Sequence, residues 1–282
     1  MRKVFYQRLE FESDDEPLLH RFGPSLWFGA YSHSEDEMKV EELLVAYFSG
    51  QTSDAFLDQR FSGADEGSIL KVIDWFVSLI NDVSINHLGQ LLCSAVYVFE
   101  TTNENAPQLS SFEASTIGVI DLLSCAGDEG LGFTEIGYHL NRNGKRANEV
   151  ANRKYGENCA KFAALLGLVS ISSLKNGVKE RGLRYVVRIT RLGKVVLNLD
   201  DQKRNRVIAK LTLRIAMFRN LIFCNQADNE IAFRNAVAGM SVSTRERRKS
   251  AMNILVREFV SCGGELPDAN KVKELICTMK MH

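Results

Sequence analysis

Arg188-Ile-Thr-Arg-Leu-Gly-Lys-Val-Val196 closes a run of short elements that begins at Ser111, and the order of those elements decides the fold. Phe112 to Cys125 has the apolar spacing of a helix, and Ala126-Gly-Asp-Glu-Gly-Leu-Gly132 supplies a glycine-rich stop. Thr134 suits the N-cap of a second short helix to about Leu140, with Phe133 and Tyr138 spaced as a hydrophobic staple. The turn Asn141-Arg-Asn-Gly-Lys-Arg146 leads to a third helix over about Ala147 to Leu166. Its inward face is Tyr155, Cys159, Phe162, Ala163 and Leu166, which leaves Arg153, Lys154, Glu157, Asn158 and Lys161 for solvent or a ligand. Gly167 ends it. Leu168-Val-Ser-Ile171 then reads as a strand, Asn176-Gly177 as a hairpin turn with both central positions at positive φ, and Leu183 to Ile189 as the return strand. Thr190 caps a further helix, Arg191 to Leu199.

On the N-terminal side, Val4 to Phe11 alternates as a short strand does, and helices follow. Ser34-Glu-Asp-Glu37 fits a capping box that opens a helix through Leu43, Leu44, Ala46, Tyr47 and Phe48. Further helices are expected over Asp54 to Phe61, Gly67 to Asp82 and Ile85 to Phe99, and the polar stretch 101–108 marks a domain boundary. On the C-terminal side, Gln202 to Phe223 reads as one helix with Val207, Ile208, Leu211, Ile215 and Phe218 on its apolar face. Ser243-Thr-Arg-Glu246 is a second capping box, opening a helix to about Val260 through Ala251, Ile254, Leu255 and Phe259. The last helices are expected to pack on the central segment or to form a second small DNA-facing unit.

The chain is neutral overall, which taken alone argues against a nucleic-acid partner, but the charge is unevenly placed. Residues 1–140 hold 7 Lys/Arg against 23 Asp/Glu, residues 141–194 hold 13 against 3, and residues 195–282 hold 15 against 9. An acidic half joined to a basic segment is a pattern of proteins with a nucleic-acid-facing part.

With those elements and charges in place, residues 111–200 resemble the winged helix-turn-helix superfamily of DNA-binding proteins. Two stretches carry the likeness: Ala163-Ala-Leu-Leu-Gly-Leu-Val169, where the third helix ends and a strand begins, and Ile189-Thr-Arg-Leu-Gly-Lys-Val-Val196, similar to the family's close of the wing. The expected architecture is therefore mainly α: an acidic helical interaction domain with a short N-terminal strand at 1–105, a winged helix-turn-helix domain at 111–200, and a basic helical C-terminal extension at 201–282. The resemblance implies that the helix beginning near Ala147 enters the major groove while the wing reaches the DNA backbone or the neighbouring minor groove. Arg146, Asn148, Asn152 and Arg153 are the base-contacting candidates, since Arg pairs bidentately with guanine and Asn with adenine. Arg142, Lys145, Lys154, Lys161, Lys175, Lys179 and Arg181 are the candidates for phosphate contacts, which position without specifying sequence.

The partner expected is double-stranded DNA, joined by a protein partner or a second copy docking on the acidic N-terminal half. That describes a regulator of bacterial type or the DNA-reading subunit of a larger DNA-processing or phage-defence complex. The alternative is a protein–protein adaptor whose winged helix binds a partner. A nuclease reading lays Asp14, Asp15 and Glu37-Met-Lys39 on an Asp…Glu-x-Lys metal site, but that site needs a strand where these residues open a capped helix. His20, His33, His87, His139 and His282 lack metal-ligand spacing, Gly127, Gly130, Gly132 and Gly137 follow a helix instead of a strand, and no G-x-x-x-x-G-K-[ST] occurs. No cofactor and no enzymatic activity is expected. Cys93, Cys125, Cys159, Cys224, Cys262 and Cys277 form no C-x-x-C pair and are expected as buried free thiols, in a cytoplasmic, reducing compartment. The first ten residues mix charge and apolar groups unlike a secretory signal, and no apolar run has spanning length.

Overall fold

A computed structural model of the chain describes residues 47–48, 54–94, 106–141, 148–173, 185–279. These residues are mainly helical, with one two-stranded antiparallel sheet. The expected N-terminal strand, the Ser34 capping box, the carboxylates and lysine of the nuclease pattern, and the Asn176-Gly177 turn lie outside the described residues. The described residues divide into two compact units, one formed by those up to Ala106 together with those from Asp200 onward, the other by those within Pro107–Leu199.

In the first unit, α1 (Asp54–Arg60), α2 (Glu66–Asp82) and α3 (Ile85–Ser94) precede α9 (Asp201–Leu211), α10 (Ala216–Ile222), α11 (Ala227–Ala238), α12 (Val242–Ser261) and α13 (Ala269–Thr278). Helix α2 forms because Ile69, Val72, Ile73, Phe76 and Ile80 recur at three- and four-residue steps and are all buried. Asp65 starts it by accepting from the Ser68 amide at 2.9 Å. Segments far apart in sequence are tied by polar contacts as well as by apolar burial. The Lys210 ammonium on α9 donates to the Asn81 carbonyl at 2.6 Å. Asn86 Oδ1 accepts from the Glu265 amide at 2.8 Å, fastening the start of α3 to the turn after α12. The helices after Asp200 therefore share a core with those before Ala106.

The single helix expected over Gln202 to Phe223 is broken. A 3-10 turn at Thr212–Arg214 and an extended Ile215 separate α9 from α10. The buried Arg219 guanidinium is the physical reason, since it donates to the carbonyls of Leu213 at 2.6 Å and Arg214 at 3.3 Å, which no helical amide then needs to satisfy. The second capping box is also displaced. Helix α12 begins at Val242 after Ser241, so Ser243 and Glu246 lie inside it.

Lys210 is buried, and burial together with the nearby Arg206 charge pulls its pKa from the ordinary 10.5 down to about 8. Between those two values the unfolded chain holds a proton that the folded chain has released, so stability rises with pH across that window and is flat below it. Raising the pH from 7.5 to 9.5 should stabilise the wild type by about 2 kcal/mol more than the Lys210→Met variant in chemical denaturation. Parallel curves for the two proteins would contradict it.

The second unit runs α4 (Phe112–Ser115), α5 (Ile117–Ala126), α6 (Phe133–Leu140), α7 (Glu149–Leu165), β1 (Val169–Ser173), β2 (Tyr185–Ile189) and α8 (Arg191–Leu197). The strands pair in the register Val169↔Ile189 to Ser173↔Tyr185. Leu131, between α5 and α6, adds a bridge on the other side of β2, exchanging both backbone hydrogen bonds with Val187 at 3.0 and 2.9 Å. The core comprises Val119, Ile120 and Leu123 of α5, Ile136 of α6, Phe162 and Ala163 of α7, Val187 and Val196. Thr190 caps α8 as its sequence predicts, accepting from the Gly193 amide at 3.0 Å. Gly127 and Gly167 end α5 and α7 with φ of 65° and 71°, the left-handed conformation that favours glycine.

Three local expectations change in this unit. The helix expected from Phe112 to Cys125 is interrupted at Thr116, whose hydroxyl donates to the Phe112 carbonyl at 2.8 Å and competes with the backbone ladder. Helix α6 starts two residues earlier than an N-cap at Thr134 would allow: Gly132 is its N-cap position, and the Glu135 carboxylate accepts from the Gly132 amide at 2.7 Å. Phe133 is buried and stacks on Tyr185 with ring centroids 5.5 Å apart, while Tyr138 is 54% exposed, so the two do not form a staple. Of the thiols expected to be buried, Cys159 and Cys224 are, but Cys125 and Cys277 are exposed on the outer faces of their helices. Among the described residues no helix is long and apolar enough to cross a membrane.

Candidate nucleic-acid interface

Helix α7 begins at Glu149, two residues later than its sequence predicts. Asn148 is the N-cap, its Oδ1 accepting from the Ala151 amide at 2.8 Å. The side chain proposed for adenine readout is thereby engaged with the helix's own backbone.

The inner side of α7 crosses α6 at very close range. A Cβ on Gly156 would lie 2.0 Å from the Phe133 carbonyl oxygen, and one on Gly137 would lie 1.8 Å from that of Asn152. Two glycines facing each other let the helix backbones touch, which fixes how α7 is presented. Asn152 sits at this crossing and is 1% exposed. Its Nδ2 donates to the Asn148 carbonyl at 3.0 Å, and its Oδ1 accepts from Asn141 Nδ2 at 3.0 Å. Asn152 is thus a buried tie between the end of α6 and the start of α7, and its expected role at a base edge is corrected accordingly.

The outer side of α7 carries Val150, Arg153, Lys154, Glu157 and Lys161, which at steps of three and four residues share one face. Val150 is 78% exposed, the most exposed large apolar side chain among the described residues. Arg153 is exposed and has no hydrogen-bond or ion-pair partner among the described residues. The two lysines behind it are engaged. Glu157 receives Lys154 at 3.1 Å on one carboxylate oxygen and Lys161 at 2.7 Å on the other. Burial would push the Glu157 carboxyl up, but the hydrogen bonds from Lys161 and Lys154 hold it below the ordinary value.

Elsewhere in the unit, Arg188 on β2 is spent on structure, donating to the Asp128 carbonyl at 2.8 Å and to Ser172 Oγ at 3.1 Å. Arg142, Lys145, Arg146, Lys175, Lys179 and Arg181 lie outside the described residues. His87 and His139 are exposed. Among the described residues no group of three or more His, Cys, Asp or Glu is placed to hold a metal ion.

Of the named candidates, the described structure therefore places Arg153, Lys154 and Lys161 on one outer face and Asn148 and Asn152 away from it. Sequence reasoning missed Val150, although its place three and four residues before Arg153 and Lys154 was the available signal. It also missed the paired roles of Gly137 and Gly156, because contact between helix backbones leaves no side-chain periodicity to read. Comparison of the chain with protein-family models, with curated proteins and with solved structures found no match.

Proposed function

We propose that Pro107–Leu199 is a winged helix-turn-helix that binds duplex DNA, with α7 as the helix presented to the major groove and the β1–β2 hairpin as the wing. The order of elements supports this reading: a helix, the bridging Leu131, two helices packed backbone to backbone, then an antiparallel hairpin whose second strand pairs with Leu131. The observation that carries it is the outer face of α7, where an exposed Arg153 without a partner among the described residues stands one turn after an exposed Val150. An unengaged guanidinium suits bidentate pairing with guanine, and an exposed valine suits contact with a thymine methyl.

On this reading the chain is a binding protein with no catalytic step, acting in the cytoplasm as a regulator or as the DNA-reading subunit of a DNA-processing or phage-defence complex. A protein partner, or a second copy, would dock on the acidic N-terminal half. The adaptor reading has its own support in Tyr138 and Val150, exposed side chains of the kinds that protein interfaces bury.

A mobility-shift titration with a pool of random duplexes tests the proposal. Binding in the micromolar range at low salt is expected, weakening steeply as salt rises, because each phosphate neutralised releases counterions. Absence of binding at about 50 mM salt would leave the adaptor reading in its place.

A further inference from the structure

Lys154 and Lys161 sit on the face that the proposed function turns toward DNA, yet both ammonium groups converge on a single carboxylate. Glu157 lies between them, three residues after one and four before the other, and each of its oxygens receives one lysine. Its side chain is 22% exposed, so the carboxylate is at the surface and able to face an approaching phosphate. The face thus carries three cations and one carboxylate, and two of the three cations share that carboxylate while their side chains remain 56% and 61% exposed. Phosphate contacts add affinity for any duplex and no sequence information, whereas Arg153 and Val150 are placed to read bases.

Resting on the DNA-binding reading above, we infer that Glu157 is a specificity-determining residue: it sequesters Lys154 and Lys161, lowers the affinity of α7 for arbitrary duplexes, and leaves discrimination to Arg153 and Val150. The charge arithmetic gives the size of the effect. Removing the carboxylate charge frees one net cation, and releasing both lysines to phosphates adds two contacts, so the slope of log K against log salt steepens by about one to two. At about 0.1 M salt that corresponds to roughly tenfold or more tighter binding of a random duplex. The ratio of preferred-duplex to random-duplex affinity falls, since the added contacts are blind to sequence.

The test is a salt titration of the full chain with two duplexes, one from a random pool and one selected from it, for wild type and Glu157→Gln. Glutamine keeps the shape of the side chain, and exposed ion pairs of this kind contribute little to folding. The variant is expected to bind the random duplex more tightly, with a steeper slope and reduced discrimination. The double substitution Lys154→Ala/Lys161→Ala provides the second measurement: it should cost more slope in the Glu157→Gln background than in the wild type. Equal slopes for wild type and Glu157→Gln, or equal losses in the two backgrounds, overturn the inference while the DNA-binding reading stands. If neither protein binds either duplex at low salt, the DNA-binding reading falls and the inference with it.

Discussion

Replacing Gly156 by valine is expected to remove the folded state of the Pro107–Leu199 unit, so that its backbone amides exchange rapidly with solvent while those of the other unit stay protected. Gly156 lies in the interior of α7, where helix propensity alone favours a larger residue: alanine there would gain about 1 kcal/mol. Packing opposes this. An added Cβ would stand 2.0 Å from the Phe133 carbonyl oxygen and 2.6 Å from the Gly137 amide nitrogen. Both are backbone atoms, which have no rotamer by which to move away, so α6 and α7 must separate and the core between them open. Overpacking of this kind costs about 3 kcal/mol or more, several times the propensity gain and a large part of what a unit of this size has. Alanine at Gly156 already carries the clash, and valine adds two methyl groups to it. The comparison is Gly239→Ala in the other unit, where the nearest atom to an added Cβ is 3.7 Å away and the change should be close to neutral. Hydrogen exchange read by mass spectrometry separates the two units in one experiment. Retained protection of α6 and α7 in Gly156→Val would show that the helices are not held backbone to backbone.

What could be read from the sequence was what local physics decides. The period of α2 follows from its apolar residues, the start of α8 from Thr190, and the inward face of α7 from Tyr155, Cys159, Phe162, Ala163 and Leu166, of which all are buried. Elements set by distant partners were less legible. Thr134 looks like a cap, but pairing of Leu131 with Val187, more than fifty residues on, fixes the chain so that α6 starts directly afterwards. The break before α10 comes from Arg219, a basic residue in an apolar stretch whose guanidinium turns inward onto carbonyls earlier in the same segment. Asn152 has the residue type of a base reader, and only its place opposite Gly137 makes it a structural tie. Of the candidate site, the outward placement of Arg153, Lys154 and Lys161 was legible from their helical spacing. Which cations on that helix are already engaged depends on side-chain geometry around Glu157, which residue spacing permits but does not dictate.

That distinction gives Arg153 a larger expected effect than its neighbours. If α7 reads the major groove, Arg153→Ala should lower affinity for a selected duplex by about 10- to 100-fold, the 1 to 3 kcal/mol that a bidentate guanine contact supplies. Affinity for a random duplex should fall much less, because there the guanidinium offers only its charge, and the salt slope should change by no more than about one. Lys154→Ala should instead weaken both duplexes slightly and alike, since its ammonium is occupied by Glu157. Arg153→Lys separates charge from shape: lysine keeps the cation but lacks the planar fork, so it should recover the random-duplex affinity without the discrimination. Val150 bears on the same measurement from one turn away. Replacing the thymines of the selected duplex with deoxyuridine removes the methyl groups and nothing else, and a loss that vanishes in Val150→Ala would place that apolar side chain against a thymine. Equal losses on selected and random duplexes for Arg153→Ala, or full recovery of discrimination by lysine, would take base readout away from this residue and reduce α7 to an electrostatic contact.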